Sequence, residues 1–371
     1  MADNQLILFA ASRDQARYFH ALAQAVDLPI TVVRAKALPK GRARADCPSA
    51  VLEIAEWHLR RKQNAHRHAK PYWALYRRWV RWQACAWYRR DLAWLRAHPA
   101  RWVGVWNGKK FRQAVTVAAA RQVGKQVVFF ERGPLPGYSM IDCFGVNARS
   151  GNPRWADFYR QFACENPPQF SPVEGSPPVS QPFVFVPFQV VEDSNIYLHS
   201  PHLPDMWALY DWLVQAAEAL PELQFVIKPH PACPTDYHTL YERHPRIRFV
   251  ESVPTQQLVQ QAQAVVTINS TVGVEALMAA TPVVVLGEAL YAIDQLVLMA
   301  DSPKALAQAL RRIDRGWRAD EAVRRGFLCY LAHHYALPGD AMRNPDGAHW
   351  QAVEKRLRTI MDQGCGRAIG L

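Results

Sequence analysis

Val226-Ile227-Lys228-Pro229-His230-Pro231 and, further along, Thr267-Ile268-Asn269-Ser270-Thr271-Val272-Gly273-Val274-Glu275 decide how this chain is read. Each begins as an apolar strand and runs into a polar turn, and the second continues into a helix. In an open α/β sheet the ligand-binding groups stand at the carboxyl ends of the strands. A His-Pro turn paired with a Ser-Thr helix start suits a nucleotide phosphate. The imidazole supplies a directed donor, and hydroxyls with backbone N–H groups at a helix N-terminus receive negative charge. A buried His and an ordinary N-cap is the plain structural alternative for either half taken alone.

The same alternation extends in both directions. Strands are expected at 6–11, 30–34, 102–106, 127–130, 183–187, 225–228, 248–251, 264–268 and 283–286. Ser12 is placed to cap a helix after the first strand. Further helices are expected at 111–122 (closed by Gly124), 152–162, 206–220, 255–262, 271–280, 304–312, 321–335 and 348–362. Such alternation implies parallel sheets with helices on both faces. The Pro/Ser/Gly-rich run from Glu165 to Pro182 reads as a linker. The expected organisation is a first Rossmann-like domain over 1–165, a linker at 166–182, a second domain over 183–345, and a C-terminal helix and tail over 346–371.

Length and composition fit two globular domains: 371 residues, half hydrophobic and a fifth charged. No run of about eighteen apolar residues exists, so no transmembrane helix is expected. Met1-Ala2-Asp3-Asn4-Gln5 lacks the basic start and apolar core of a signal peptide. Seven cysteines, at 47, 85, 143, 164, 233, 329 and 365, show no metal-ligand spacing. They suggest a reduced cytoplasmic protein without structural zinc.

The formal net charge of +12 is local. From His58 to Gly104 twelve Lys/Arg, Arg67 among them, face one acid, Asp91, and eight of the thirteen tryptophans lie between Trp57 and Trp106. Two helices separated near Pro71 are expected in this insert, about 50–100. Trp73, Val80, Trp87 and Trp94 recur every seven residues and share a helix face. That stripe packs on the domain, or docks on anionic lipid with Trp at the interface, or stacks on nucleic acid. Nothing in the chain resembles a nucleic-acid-binding module.

Glu131-Arg132-Gly133, His230-Pro231 and Ser270-Thr271 occur in the order of three short motifs of bacterial sialyltransferases and capsule Kdo transferases. The stretch Pro187-Phe188-Gln189-Val190-Val191-Glu192-Asp193-Ser194-Asn195-Ile196 is similar to the Gln-x-x-x-Asp-Ser/Thr element of capsule polysaccharide biosynthesis proteins of the KpsC/KpsS type. Trp106-Asn107-Gly108 also resembles a turn of that group. The resemblance runs from about Val103 to Tyr291 and leaves out the basic insert and the C-terminal tail.

It implies a GT-B-type fold with two Rossmann-type domains and an interdomain cleft, the first on the acceptor side and the second binding the nucleotide sugar. It also implies a retaining transferase acting by double displacement on CMP-activated Kdo. Asp193 would be the nucleophile and Glu131 the general base, two carboxylates in two roles. His230, Pro231, Ser270, Thr271, Lys228 and Glu275 would hold the nucleotide, with protein donors neutralising the departing phosphate, so that neither metal nor other cofactor is expected. Asn107, Gly108, Arg132, Gly133 and Gln189 would contact substrate. The implied partners are CMP-Kdo and a lipid-linked acceptor, with the chain on the inner face of the cytoplasmic membrane and no nucleic acid bound.

Each assignment has a structural counterpart. Asp193 caps a turn, with Glu192 as a rival carboxylate; Glu131 pairs with Arg132 or Lys125; Asn107-Gly108 is a tight turn. Glu275 meets a ribose or complements the helix dipole, and Asp142 is a spare acid. Two other functions stand beside the main one: a GT-B transferase using a UDP or CDP donor, and a non-catalytic assembly protein binding lipid or a partner.

Overall fold

The computed structural model describes residues 5–36, 45–66, 68–179, 182–190, 192–233, 235–343 and 345–370. Residues 1–4, Arg67, Ser180, Gln181 and Val191, which enter the reading above, lie outside them. Two compact units form, one from residues 1–152 with 334–371, the other from 153–333.

The first unit begins with β1 (Leu6–Ala10), α1 (Arg13–Ala25), β2 (Ile30–Arg34), α2 (Ser49–Ala65) and α3 (Lys70–Ala97). It continues with β3 (Trp102–Trp106), α4 (Phe111–Gln122), β4 (Gln126–Arg132) and β5 (Tyr138–Asp142). Ser12 caps α1 as expected, its hydroxyl accepting from the Gln15 N–H at 3.2 Å. Strand β1 is buried throughout and pairs in parallel with β2 on one side and β3 on the other. Pro71 sits in the first turn of α3, where the missing N–H has no intrahelical partner to lose.

Asp91, the lone acid between His58 and Gly104, is buried between α3 and α4. Arg112 grips it with two hydrogen bonds, at 2.6 and 2.7 Å, and the Thr116 hydroxyl gives a third at 2.9 Å. The same guanidinium lies over the rings of Phe9 and Trp87. Val80 is fully buried and Trp87 packs on Phe111. The seven-residue stripe through Trp73 and Val80 is therefore a packing face of α3.

The second unit carries α5 (Ala156–Arg160), β6 (Phe183–Pro187), α6 (Ser194–His199), α7 (Met206–Ala219), β7 (Gln224–Lys228) and β8 (Ile247–Phe249). Then follow α8 (Thr255–Gln261), β9 (Ala264–Thr267), α9 (Val272–Met278), β10 (Val283–Val285), β11 (Leu298–Met299), α10 (Pro303–Asp314) and α11 (Glu321–Tyr330). Its six strands are all parallel in the order β11-β10-β9-β6-β7-β8. Central β6 is buried at every residue, as a strand covered on both faces must be.

The chain then returns to the first unit with β12 (Ala336–Pro338), α12 (Gly347–Gln363) and α13 (Cys365–Ala368). That sheet runs β12-β5-β4-β3-β1-β2, and β5 is antiparallel to both its neighbours, a hairpin departure from the expected parallel pattern. With two six-stranded α/β sheets the fold class is the expected GT-B-like one.

Three points differ from the sequence reading. Residues 153–165 and the linker stretch belong to the second unit, and the C-terminal helix completes the first instead of forming a tail. The helix expected at 152–162 shrinks to Ala156–Arg160. The cysteines are not all reduced, because Cys47–Cys85, Cys143–Cys365 and Cys164–Cys329 form disulfides, and Cys233 takes part in none. Pairs 38, 222 and 165 residues apart leave no spacing signature in a sequence; only the fold brings them together.

Candidate functional site

In the second unit, β9, β6 and β7 are neighbours, so the turns that follow them emerge on one edge of the sheet. After β6, Gln189 is buried and its amide is fully used. Its Nε2 donates to Asn269 Oδ1 at 3.0 Å and more loosely to Asp193 Oδ2 at 3.4 Å, while its Oε1 accepts from the Asn269 N–H at 3.3 Å. Gln189 is thus a strut between two strand ends.

Asp193 caps α6 through Oδ1, which accepts from the Asn195 N–H at 2.9 Å. The capping and nucleophile readings are compatible, since one oxygen holds the helix and the other stands beside the Gln189 amide. At the far end of α6, buried His199 meets Glu288 at 2.9 Å through Nδ1. Asn269 also donates through Nδ2 to the carbonyls of Asn195 and His199, at 3.1 and 3.2 Å. Asn269, His199 and Glu288 were not singled out from sequence. An Asn directly after the apolar strand, inside the opening motif, was the available signal for the first. For the other two no local signal existed.

After β9, Ser270 Oγ accepts from the Val272 N–H at 3.2 Å and its carbonyl accepts from Gly273, at 3.0 Å, and from the Tyr291 hydroxyl. The first backbone donors of the seven-residue α9 are therefore engaged internally. What this turn offers outward is the hydroxyls of half-buried Ser270 and exposed Thr271, in place of the row of free backbone N–H groups expected. Glu275, in the first turn of α9, is half-buried, and burial raises its carboxyl above the usual range.

After β7, Lys228 turns its ammonium to the Val253 carbonyl, and burial lowers its pKa. Exposed His230 accepts the Ala232 N–H on Nδ1 at 3.1 Å, which puts the ring proton of the neutral form on Nε2 as an outward donor. A bond from the Cys233 N–H to the His230 carbonyl closes this turn, with Pro231 exposed on it.

The first unit brings a second group together. Asn107, in the left-handed region at φ 64°, donates through Nδ2 to Glu131 Oε2 at 2.5 Å and accepts the Lys109 N–H on Oδ1. The other Glu131 oxygen accepts the Arg132 N–H at 3.0 Å. Burial pushes the Glu131 carboxyl above its usual range; the Asn107 bond, the Arg132 N–H and the charges of Lys110 and Lys109 pull the other way. A carboxylate made more basic and held by the Asn107 amide and the Arg132 N–H suits proton abstraction.

Gly108 has φ 77°, and a Cβ there would lie 2.4 Å from the Phe129 ring, so no other residue fits this turn. A Cβ on Gly133 would lie 2.9 Å from the Tyr138 backbone. Both glycines are demanded by the fold. Exposed Arg132 stands 3.7 Å from Asp340, a loose surface pair. Asp142 accepts from Phe144, Gly145 and Gly151 N–H groups and from the Tyr335 hydroxyl, and it is fully buried. Those bonds make it a structural pin, which removes it as a spare acid.

Residues 173–298 match the family model described as capsule polysaccharide biosynthesis protein. The chain is similar to Protein FixF of Sinorhizobium fredii (strain NBRC 101917 / NGR234), with 36% identity over 342 residues, 85% of this chain and 83% of that protein. It is also similar to the capsule polysaccharide export protein KpsS of Escherichia coli, with 34% identity over 123 residues, 30% of this chain and 32% of that one. Among solved structures it is similar to Thermosulfurimonas dismutans KpsC, beta Kdo 2,4 transferase, at 15% identity and a TM-score of 0.49, covering 87% of this chain and 89% of that chain.

Proposed function

This chain belongs to the capsule polysaccharide biosynthesis family, and from that premise we propose that it is a glycosyltransferase moving Kdo, or a related acid sugar, from a CMP-activated donor to a lipid-linked glycan or phospholipid. The observation that carries the reading is Asp193, held by Gln189 and its own helix at the strand-end edge of an all-parallel sheet.

In the proposed reaction an Asp193 oxygen attacks the anomeric carbon, and the bond from that carbon to the phosphate oxygen breaks. CMP departs with the electron pair, leaving a glycosyl-enzyme. Glu131 then takes the proton of the acceptor hydroxyl, whose oxygen attacks the same carbon and releases the Asp193 carboxylate. Two displacements retain configuration. The His230 Nε2–H and the Ser270 and Thr271 hydroxyls neutralise the leaving phosphate, so the step asks for no metal. Asn107 orients Glu131. Glu275 is assigned to the nucleotide side.

The reading places the chain at the inner face of the cytoplasmic membrane, where a lipid-linked acceptor is reached. The association proposed is peripheral; among the described residues no helix is long and apolar enough to cross a bilayer. Three disulfides are the pattern of an oxidising compartment, and the thiol state of the chain in cells decides between the two locations.

Thermal unfolding with CMP, CDP, UDP and UMP, each without metal, tests the donor. A ligand at a hundred times its dissociation constant adds about 2.7 kcal/mol. A shift with CMP and turnover of CMP-Kdo support the proposal. A shift with UDP or CDP replaces the donor, and no shift with any nucleotide favours an assembly protein.

A further inference from the structure

The face of α3 opposite its packed side carries an apolar ridge that stays exposed among the described residues. Tyr72, Leu75, Trp79 and Trp82 are 45, 69, 47 and 67% exposed. Their spacing of three, four and three residues puts them one above another on a single face across the first turns of the helix. The inward side is a different row, Val80, Ala84, Tyr88, Leu92 and Leu95. Trp57 on α2 is also exposed, at 42%.

Large apolar side chains lined up in water mark a surface that meets something. The charges alongside say what. Lys70 and Arg78 are exposed on the same stretch of α3, and Arg60 on α2. Arg77 and Arg81 reach Glu56 at 3.4 and 3.8 Å, so this acid of α2 is already shared by two cations of α3.

We propose that the Tyr72-Leu75-Trp79-Trp82 ridge of α3, with Arg78 beside it, seats in the headgroup layer of an anionic lipid bilayer. The proposal deepens the peripheral-membrane part of the proposed function and rests on that reading. Indole and phenol rings settle where headgroups meet acyl chains, and an aliphatic residue among them buries below that level. Each basic residue near an anionic leaflet adds attraction that fades with salt. A second copy of this chain fits the face poorly, because a two-fold contact would bring the Arg78 charges of both copies into one interface. Single-stranded nucleic acid has no use for Leu75, which offers no face for stacking.

The test is flotation of the full chain with vesicles of phosphatidylcholine alone and with 30% phosphatidylglycerol, a composition chosen at about the charge density of an anionic leaflet. The expected result is binding to the anionic vesicles that falls with added salt. In the triple variant Leu75→Ser, Trp79→Ser, Trp82→Ser the partition drops about tenfold or more, and Arg78→Glu weakens it further. All four positions are exposed, so unchanged unfolding temperatures check that the variants fold. Equal flotation of wild type and triple variant overturns the proposal, as does absence of binding to anionic vesicles. A wild-type dimer that the variant converts to monomer also overturns it, because the ridge is then a self-contact. Nucleotide-induced thermal shifts in the triple variant equal to wild type separate loss of docking from failure of the transferase reading.

Discussion

In the proposed reaction Glu131 has to be basic enough to take a proton and yet ionised when the acceptor arrives. Burial raises its pKa, so the folded value lies above the unfolded one. Stability from such a group is full below the unfolded value and is lost as pH rises through the folded value. Glu131→Gln removes that loss while keeping an oxygen for Asn107. Its unfolding temperature at neutral pH should equal or exceed wild type, while transfer falls about 10²–10⁴-fold. The acid limb of the transfer rate in wild type should lie above the ordinary glutamate value. A limb at the ordinary value would remove Glu131 as the base. At this scale the sequence pointed to the carboxylates and the His and Ser-Thr turns. Asn269, His199 and Glu288 escaped notice because their roles consist of partners seventy or more residues away.

Helix α6 is too short to be stable on its own; it exists because both ends are held. Asp193 caps one end, and Asn269 and Glu288 fasten the other. Asparagine caps as well as aspartate. Asp193→Asn should therefore unfold with wild type and yet transfer no sugar, whereas Asp193→Ala should also lose about 1 kcal/mol. Asn269→Ala removes the side-chain partner of the buried Gln189 amide and the donor that ties it to α6, and should cost about 1–3 kcal/mol. Denaturant melts with parallel turnover assays separate these outcomes. Nine of the strands were legible in the sequence, and so was the Ser12 cap, while the caps at Asp205, Ser302, Asp320 and Asp346 were not. β11, β12 and α6 were not, being two, three and six residues long and fixed by neighbours distant in sequence. β5 was missed because its Tyr-Ser-Met-Ile-Asp pattern carries only one alternation before the chain turns.

For the molecule as a whole, the disulfides are the feature least visible beforehand. Alkylation of the unfolded, unreduced chain should label Cys233 alone, and mass spectrometry should recover the three cystine peptides. Reduction should lower stability by about 2–4 kcal/mol per bridge. Labelling of all seven thiols would restore the reduced chain suggested by the cysteine spacing.

The first unit is discontinuous: its edge strand β12 and helix α12 come from the end of the chain. On the ribosome, residues 1–152 emerge first but cannot finish their sheet, since the 181 residues of 153–333 must be translated before β12 appears. At about 5–20 residues per second the wait is roughly ten to forty seconds. The half that is synthesised first is therefore the half that matures last, and through that interval the β5 edge is unpaired and in need of a chaperone's cover.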